Sequence, residues 1–403
     1  MSPITLRCTL PLTLSLVTLA AISLGYAATT APAPVAEAAK GFEASYPHIA
    51  MLWSKADNIK DKWENMARHG VIVLGLDELG LAWEKQKYAA MAETIDPATL
   101  DEAARNLDRI HKLSPAAVVL FEVYFFEETD GNYPPDSPWW LRDSKGKQQQ
   151  FWPGDHMMDL SNADYVRHIA RRIEAVAKAA RGKAGIYLDN LRFKPADKKA
   201  WTSLLEQVRK ACGNDLPILV NAGWDSDDLA WVCPYVNGIM YEDSVAHAKG
   251  KDTEAFYARI AQFEQLCLKP HISVNERFGP MTDEARMQKE LLRTLVYTDM
   301  FYLYSKSTNG HNHKWFDVWS APLGTPLGPP VKPSKTASMV IRSFAGGGVY
   351  WVPETAKEAQ SVLPRPGERN ALTGQDVKEM VTLQPGQGLI MINPPAAPST
   401  APK

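Results

Sequence analysis

Eight short apolar runs, spaced by stretches of helical periodicity, constrain this chain more than any other feature of its sequence. They are HIAMLW (48–53), GVIVLGL (70–76), AAVVLFEVYF (116–125), GIYLD (185–189), PILVN (217–221), NGIMYE (237–242), PHISVN (270–275) and DMFYLY (299–304). Each is a continuous apolar run rather than an alternation of apolar and polar residues, so each predicts a strand buried on both faces, as in parallel sheets. Between them the helical stretches carry recognisable ends. Asp96-Pro97 opens one whose apolar face is Leu100, Ala103, Ala104, Leu107 and Ile110. Ser161 with Asp164 resembles a capping box ahead of Val166, Ile169, Ile173 and Val176, and Gly182 stops that helix. Trp201, Leu204, Leu205 and Val208 mark a third, stopped at Gly213. Eight such units predict an α/β fold, a (β/α)8 TIM barrel over residues 46–330. A doubly wound open sheet is the alternative, but no glycine-rich phosphate loop follows the early strands.

With 403 residues, 45% of them hydrophobic, the chain has enough apolar mass for one large domain and a small one. From residue 331 the pattern changes to ASMVIRSFAGGGVYWVP and DVKEMVTLQPGQGLIMI, strands joined by Gly and Pro turns, which predict a small β module over 331–393. The last residues, 394–403, are Pro, Ala, Ser and Thr and predict a disordered tail.

At the other end, Arg7 precedes an apolar run from Cys8 to Leu24, and Gly25-Tyr26-Ala27 offers small residues where a signal peptidase cuts. The expectation is a signal peptide over 1–27 and a secreted or periplasmic protein. An uncleaved anchor is the alternative, but a run of about 17 residues is short for a membrane span. An Ala/Pro-rich linker follows over 28–45. Removing the signal leaves Cys212, Cys233 and Cys267, so either one disulfide forms within the chain or all three are thiols packed as small hydrophobes. A net charge of -2, without a large block of one sign, argues against nucleic-acid partners and against an anionic membrane surface.

In a (β/α)8 barrel the reactive groups stand where strands end, on the C-terminal face. Asp189 closes the fourth apolar run and Asn190 and Arg192 follow it; Asp77 follows the second; Glu122 and Tyr124 lie in the third. Asn221 closes the fifth and Trp224 follows; Glu242 and Asp243 close the sixth; Asn275, Glu276 and Arg277 close the seventh; Tyr304 ends the eighth. Two carboxyls facing each other across such a mouth are the minimum apparatus for splitting a glycosidic bond, one protonating the leaving oxygen and the other attacking the anomeric carbon or activating water. Asp189 and Glu242 are the expected catalytic pair, Asp189 as nucleophile or base and Glu242 as acid. Asp77, Glu122, Tyr124, Asn190, Arg192, Asn221, Trp224, Asn275, Tyr304 and His311 are the expected substrate contacts.

The chain carries 12 Trp and 14 Tyr, and Trp53, Trp83, Trp139, Trp140, Trp152 and Trp224 fall at or after strand ends, where indole faces can stack on sugars. NGHNHKW (309–315) sets His311 and His313 in the loop after the eighth run; with no acidic third ligand in that loop, a polar, substrate-contacting role is preferred over metal, and no cofactor is expected.

YPHIAMLWSKADN, ARHGVIVLG, WWLRDSKGKQQQFWPGDHMMDLSNADY, GIYLDNLRF and GIMYEDS, in this order, resemble bacterial glycoside hydrolase-like (β/α)8 barrels, which in turn resemble the endo-α-1,4-polygalactosaminidase type. DVWSAPLGTPLGPP, IRSFAGGGVYWVP and LQPGQGLIMI extend the resemblance to about Ile392. It implies a secreted barrel acting on polysaccharide, with Asp189 and Glu242 as its catalytic carboxylates. Asn221 stands where α-amylase-like barrels place an acid, which argues against an amylase. A catalytically silent glycan-binding barrel is the alternative from another class, and metal-dependent hydrolysis through His311 and His313 is a third.

Overall fold

The computed structural model describes residues 46–191, 195–224, 227–247 and 253–394. The expected signal peptide and linker, most of the expected tail, and Arg192 lie outside the described residues. Eight parallel strands form one sheet: β1 (Ala50–Leu52), β2 (Val71–Leu74), β3 (Val118–Glu122), β4 (Ala184–Leu188), β5 (Ile218–Asn221), β6 (Gly238–Glu242), β7 (Val274–Phe278) and β8 (Phe301–Ser305). Each pairs with the next in sequence order. A parallel bridge from Ile49 to Tyr302, with the Tyr302 N–H donating to the His48 carbonyl at 2.7 Å, brings β8 back to β1 and closes the barrel.

The apolar runs are continuous because both faces of the sheet are covered. Successive side chains point to opposite faces. Leu52, Val73, Leu120, Tyr187, Leu219, Met240, Val274 and Leu303 fill the interior, while Met51, Ile72, Val119, Ile186, Val220 and Ile239 pack outward under the helices. Strands approach closely at Gly185 and Gly238, where an added Cβ would stand 2.2 Å from the Pro217 carbonyl oxygen and 2.5 Å from the Ile272 carbonyl carbon.

The helices are α1 (Lys62–Ala67), α2 (Leu100–Leu113), α3 (Ala163–Ala180), α4 (Pro195–Cys212), α5 (Ser244–His247), α6 (Thr253–Leu266) and α7 (Glu284–Tyr297). After β5 and β8 the described residues hold only the 3-10 turns Cys233–Tyr235 and Asp317–Ser320. The N-cap of α3 is Asn162, one residue later than expected. Its side chain accepts from the Asp164 and Tyr165 N–H groups, whereas the Ser161 hydroxyl is drawn off to Asp159 at 2.6 Å.

β7 begins four residues later than its apolar run. Pro270 has no N–H to give a ladder, and Ile272 donates instead to the Asn237 carbonyl, so regular pairing starts at Val274. The strand then runs through Glu276, Arg277 and Phe278. Glu276 is thereby turned inward, and Asn275 and Arg277 outward.

The expected C-terminal β module is an antiparallel sheet of β9 (Val340–Phe344), β10 (Gly347–Trp351) and β11 (Gly388–Ile392), with short edge strands beyond. The described residues form one compact unit, and Trp351, Ile390 and Ile392 share a buried cluster with Met287, Leu291 and Leu295 of α7. Cys212, Cys233 and Cys267 are free thiols, the last two buried in the barrel's outer core.

Candidate active site

At the C-terminal mouth the interior positions change from apolar to acidic. Tyr187 is the last aromatic plug, and its hydroxyl donates to Asp189 at 3.0 Å. Above it converge Glu122 from β3, Asp189 after β4, Asn221 from β5, Glu242 from β6 and Glu276 from β7.

Asn221 joins the two expected catalytic carboxyls. Its side-chain amide donates to Asp189 at 2.7 Å and to Glu242 at 3.0 Å, while its own oxygen is held by the Gly223 N–H at 2.7 Å. Asp189 receives a third donor, the Asn190 amide, at 3.0 Å; the same amide reaches Glu127 at 2.7 Å. Three donors form a cradle for a carboxylate anion. Glu242 has one donor and is pushed up to about 7, first by burial and then by Glu276 and Asp189, against the Asn221 hydrogen bond and His311. Asp189 and Glu242 therefore sit in different electrostatic environments, as an acid and a nucleophile require.

Glu122 accepts from the Trp53 indole at 2.8 Å, and burial followed by repulsion from Asp189 pushes it up to about 8. Glu127 is raised to about 8 for the same two reasons, with Asn190 opposing. Tyr124 is near enough to feel these charges and is 46% exposed, its phenol raised chiefly by Glu122. Glu276 is fully buried; one carboxylate oxygen accepts from the Ser305 hydroxyl at 2.5 Å and lies 2.7 Å from His311 Nδ1. For His311, burial opposes the charged form, but Glu276, Glu242 and Asp189 outweigh it and raise its pKa. Its ring also packs on Trp53, centroid to centroid 4.8 Å.

Trp53, Asn190, Asp243 and His311 all have left-handed backbone, with φ of 54°, 56°, 49° and 51°. Among the described residues only Arg181 and Asp228 are the other non-glycines in that region. Such conformations persist where the surroundings enforce them, and they gather at functional sites.

The structure thus brings together Asp189, Glu242, Glu122, Tyr124, Asn190, Asn221 and His311. Asp77 is exposed on the 3-10 turn Leu76–Leu79 that follows β2, and Trp224 is 56% exposed on the loop after β5. Asn275 and Tyr304 are not at the mouth. Asn275 faces the helices, donating to Tyr257 at 3.2 Å and Thr294 at 2.8 Å; the Tyr304 hydroxyl donates to the Pro280 carbonyl outside the barrel. Trp139 and Trp140 pack within the long loop after β3, Trp139 stacked on His168 and Trp140 bonded to the Pro134 carbonyl. Three short antiparallel strands build that loop, and they carry Glu127 to Asn190.

Glu276 and Glu127 were not among the expected contacts. Glu127 lies beyond β3, and only the loop's fold brings it back. His313 turns away from His311: its Nε2 lies 3.1 Å from that of His69, and burial lowers both rings, to about 4 and about 3. The two loop histidines therefore do not converge on one metal. One ligand atom each from Glu242, Glu276 and His311 do lie within 4.8 Å of one another, close enough to share an ion.

A cavity of about 480 Å³ opens beside Trp53, between the loops after β1 and β8. Another, of about 500 Å³, lies between the loop after β8 and the C-terminal module and is lined by none of the converging carboxyls.

No protein-family model and no curated protein matches the chain. Among solved structures, the fold is similar to a noncanonic maltogenic alpha-amylase from Thermotoga neapolitana, with 10% identity, 86% of this chain and 98% of that one covered, and a TM-score of 0.51. A GH27 β-L-arabinopyranosidase from Geobacillus stearothermophilus gives 10% identity, 89% and 98% coverage, and 0.49. Aspergillus fumigatus Ega3, in complex with galactosamine, gives 12%, 68% and 95%, and 0.41. At these identities the likeness to the amylase speaks for architecture alone: the chain is a (β/α)8 barrel whose fold is similar to that of a glycoside hydrolase.

Proposed function

We propose that the protein is a secreted or periplasmic glycoside hydrolase of the endo-α-1,4-polygalactosaminidase type, acting by retention on an α-linked or amino-sugar polysaccharide. The observation that carries this reading is the Asn221 amide shared by Asp189 and Glu242 at 2.7 and 3.0 Å. Two oxygens on one nitrogen at those distances are less than about 6 Å apart, near the 5–5.5 Å of retaining pairs and short of the 6.5–9.5 Å that leaves room for an inverting water. Asp189 attacks the anomeric carbon as Glu242 gives its proton to the leaving oxygen. Water then enters, Glu242 takes its proton, and the hydroxyl displaces Asp189 from the sugar.

The acidic surroundings support an amino sugar. Glu122, Glu127, Glu242 and Glu276 gather around Asp189, and among the described residues His311 is the basic side chain that faces them. An ammonium entering this mouth lets raised carboxyls ionise and pair with it.

The test is product release from polysaccharides, de-N-acetylated galactosaminogalactan and α-glucans among them, by the parent, Asp189→Ala and Glu242→Ala, with the product's anomeric form followed by NMR. The expected result is cleavage by the parent alone, with configuration retained. Glycan binding by all three proteins without any release would replace the hydrolase with a binding barrel.

A further inference from the structure

Trp53 stands between two regions of opposite charge. Its indole N–H donates to Glu122 at 2.8 Å and its ring packs on His311, so it belongs to the acidic mouth. It also lines the cavity of about 480 Å³ between the loops after β1 and β8, a volume usual for pockets that bind small molecules. Lys55, Lys60 and Lys62 line the same cavity, against the two acids Asp57 and Glu78. Asp61, in the same segment, is spent on capping α1.

The lysines are not neutralised by these acids. Lys55 Nζ and Lys62 Nζ both approach one oxygen, Glu78 Oε2, at 3.4 and 3.5 Å. Those distances exceed the roughly 2.7–2.9 Å of a strong charge-assisted hydrogen bond, so one carboxylate is shared by two ammoniums and satisfies neither. Lys62 also donates to the Glu78 carbonyl at 2.8 Å, which holds it at the cavity wall. Lys60 and Asp57 are exposed and make no ion pair among the described residues. With side chains only 32% and 41% exposed, Lys55 and Lys62 have less rotamer freedom left to lose when an anion enters.

We propose that this cavity is a subsite for a sugar bearing an anionic group, a carboxylate or a sulfate ester, next to the sugar held over Asp189 and Glu242. This deepens the hydrolase reading by giving its polysaccharide an acidic sugar, and it rests on that reading for the neighbouring sugar. Trp53 supplies an apolar wall for the ring, and the lysines take the anion. The order of charge along the mouth sets the register of the chain. Glu122, Asp189 and Glu242 repel an anionic sugar from the centre, and the lysines repel an amino sugar from the cavity.

The experiment is NMR chemical-shift titration of the full protein with methyl α-D-galacturonoside and its uncharged methyl ester, and with galactose 6-sulfate beside galactose. The parent should bind one acid or both about fivefold or more tighter than the neutral counterpart, and the pair that shows the difference tells carboxylate from sulfate. Salt at about 1 M should abolish the preference. In the triple variant Lys55→Gln, Lys60→Gln and Lys62→Gln, acid and neutral sugar should bind alike. Glu78→Gln should act in the other direction and tighten the acid alone, because it gives Lys55 and Lys62 up to the ligand. A loosened cavity weakens acid and neutral sugar together, so opposite responses separate charge recognition from structural damage.

Equal affinity for acid and neutral sugar in both pairs would overturn the proposal. So would a preference that survives the triple variant, or a Glu78→Gln protein that binds the acid no tighter than the parent. If the triple variant fails to fold, Glu78→Gln decides by itself. None of these measurements needs turnover. A preference for the acid in a protein that cleaves nothing keeps the ligand assignment and sinks the hydrolase reading, whereas cleavage without any such preference does the reverse.

Discussion

A single amide, that of Asn221, sets the spacing of the two central carboxyls and is itself locked by the Gly223 N–H. Truncation to Asn221→Ala removes a donor to both and leaves them free to drift. Loss of one preorganised donor typically lowers kcat by about 10²–10³-fold. A fall of that order in kcat, with KM and melting temperature close to the parent, is the expected result of steady-state kinetics and thermal unfolding on this variant. Asp189, Asn190, Asn221, Glu242 and Glu122 were legible in the sequence because a strand that ends on a polar residue after a buried run reports its own mouth position. Asn275 and Tyr304 were misread for a related reason: a side chain's face depends on the phase of its strand, and one residue changes it. Glu276 stood in the sequence beside Asn275 and Arg277, and only the phase of β7 separates it from them.

At the scale of elements, all eight strands were legible, since runs buried on both faces have no alternative partner in so large a chain. The start of β7 was not, because hydropathy does not register that Pro270 lacks a donor. The 3-10 turns after β5 and β8 were equally silent, as no strong apolar periodicity marks where a helix is replaced by a short turn. Close strand contact does have a sequence mark, the glycine that opens β6. An alanine Cβ at Gly238 would lie 2.5 Å from both the Ile272 carbonyl carbon and the Ser273 nitrogen, backbone atoms that cannot rotate aside. Gly238→Ala should therefore cost at least the usual overpacking penalty of about 1–3 kcal/mol. Gly213→Ala is the control. Its φ of +76° strains any side chain but nothing lies within 4 Å of the added carbon, so about 1 kcal/mol is expected. Urea midpoints of the two variants, at unchanged m, separate crowding from backbone strain.

Over the whole molecule the buried titratable groups set a pH dependence of stability. Glu122, Glu127 and Glu264 are raised to about 8 and Glu242 to about 7, each first by burial. A carboxyl raised on folding binds its proton more tightly in the native state, so its contribution is complete below its unfolded value and is lost as pH rises through the folded one. Each such group gives a slope of at most about 1.4 kcal/mol per pH unit within its own window. His69 and His313, lowered to about 3 and about 4, act in the opposite sense: the unfolded rings take up protons first, and stability falls as pH drops below the ordinary imidazole value. Glu93 and Glu354, held low by Arg171 and by Lys289 with Arg293, add to the acid loss. Between about pH 5 and 6.5 these two lowered imidazoles offset only part of the loss from these four raised carboxyls, and from 6.5 to 8 the carboxyls act in the same sense as His311, whose pKa is also raised. The expected curve is highest at about pH 4.5–5, declines gently to about pH 6.5 and more steeply to about pH 8, and declines again below about pH 4.5. Urea unfolding followed across pH 4 to 9 gives this curve directly, and stability that climbs from pH 6.5 to 8 would mean that the mouth carboxyls are ionised in the native protein. Glu264 sits away from the mouth, against Asp299 and Arg342, so Glu264→Gln should remove one carboxyl's share of the alkaline decline without touching the site.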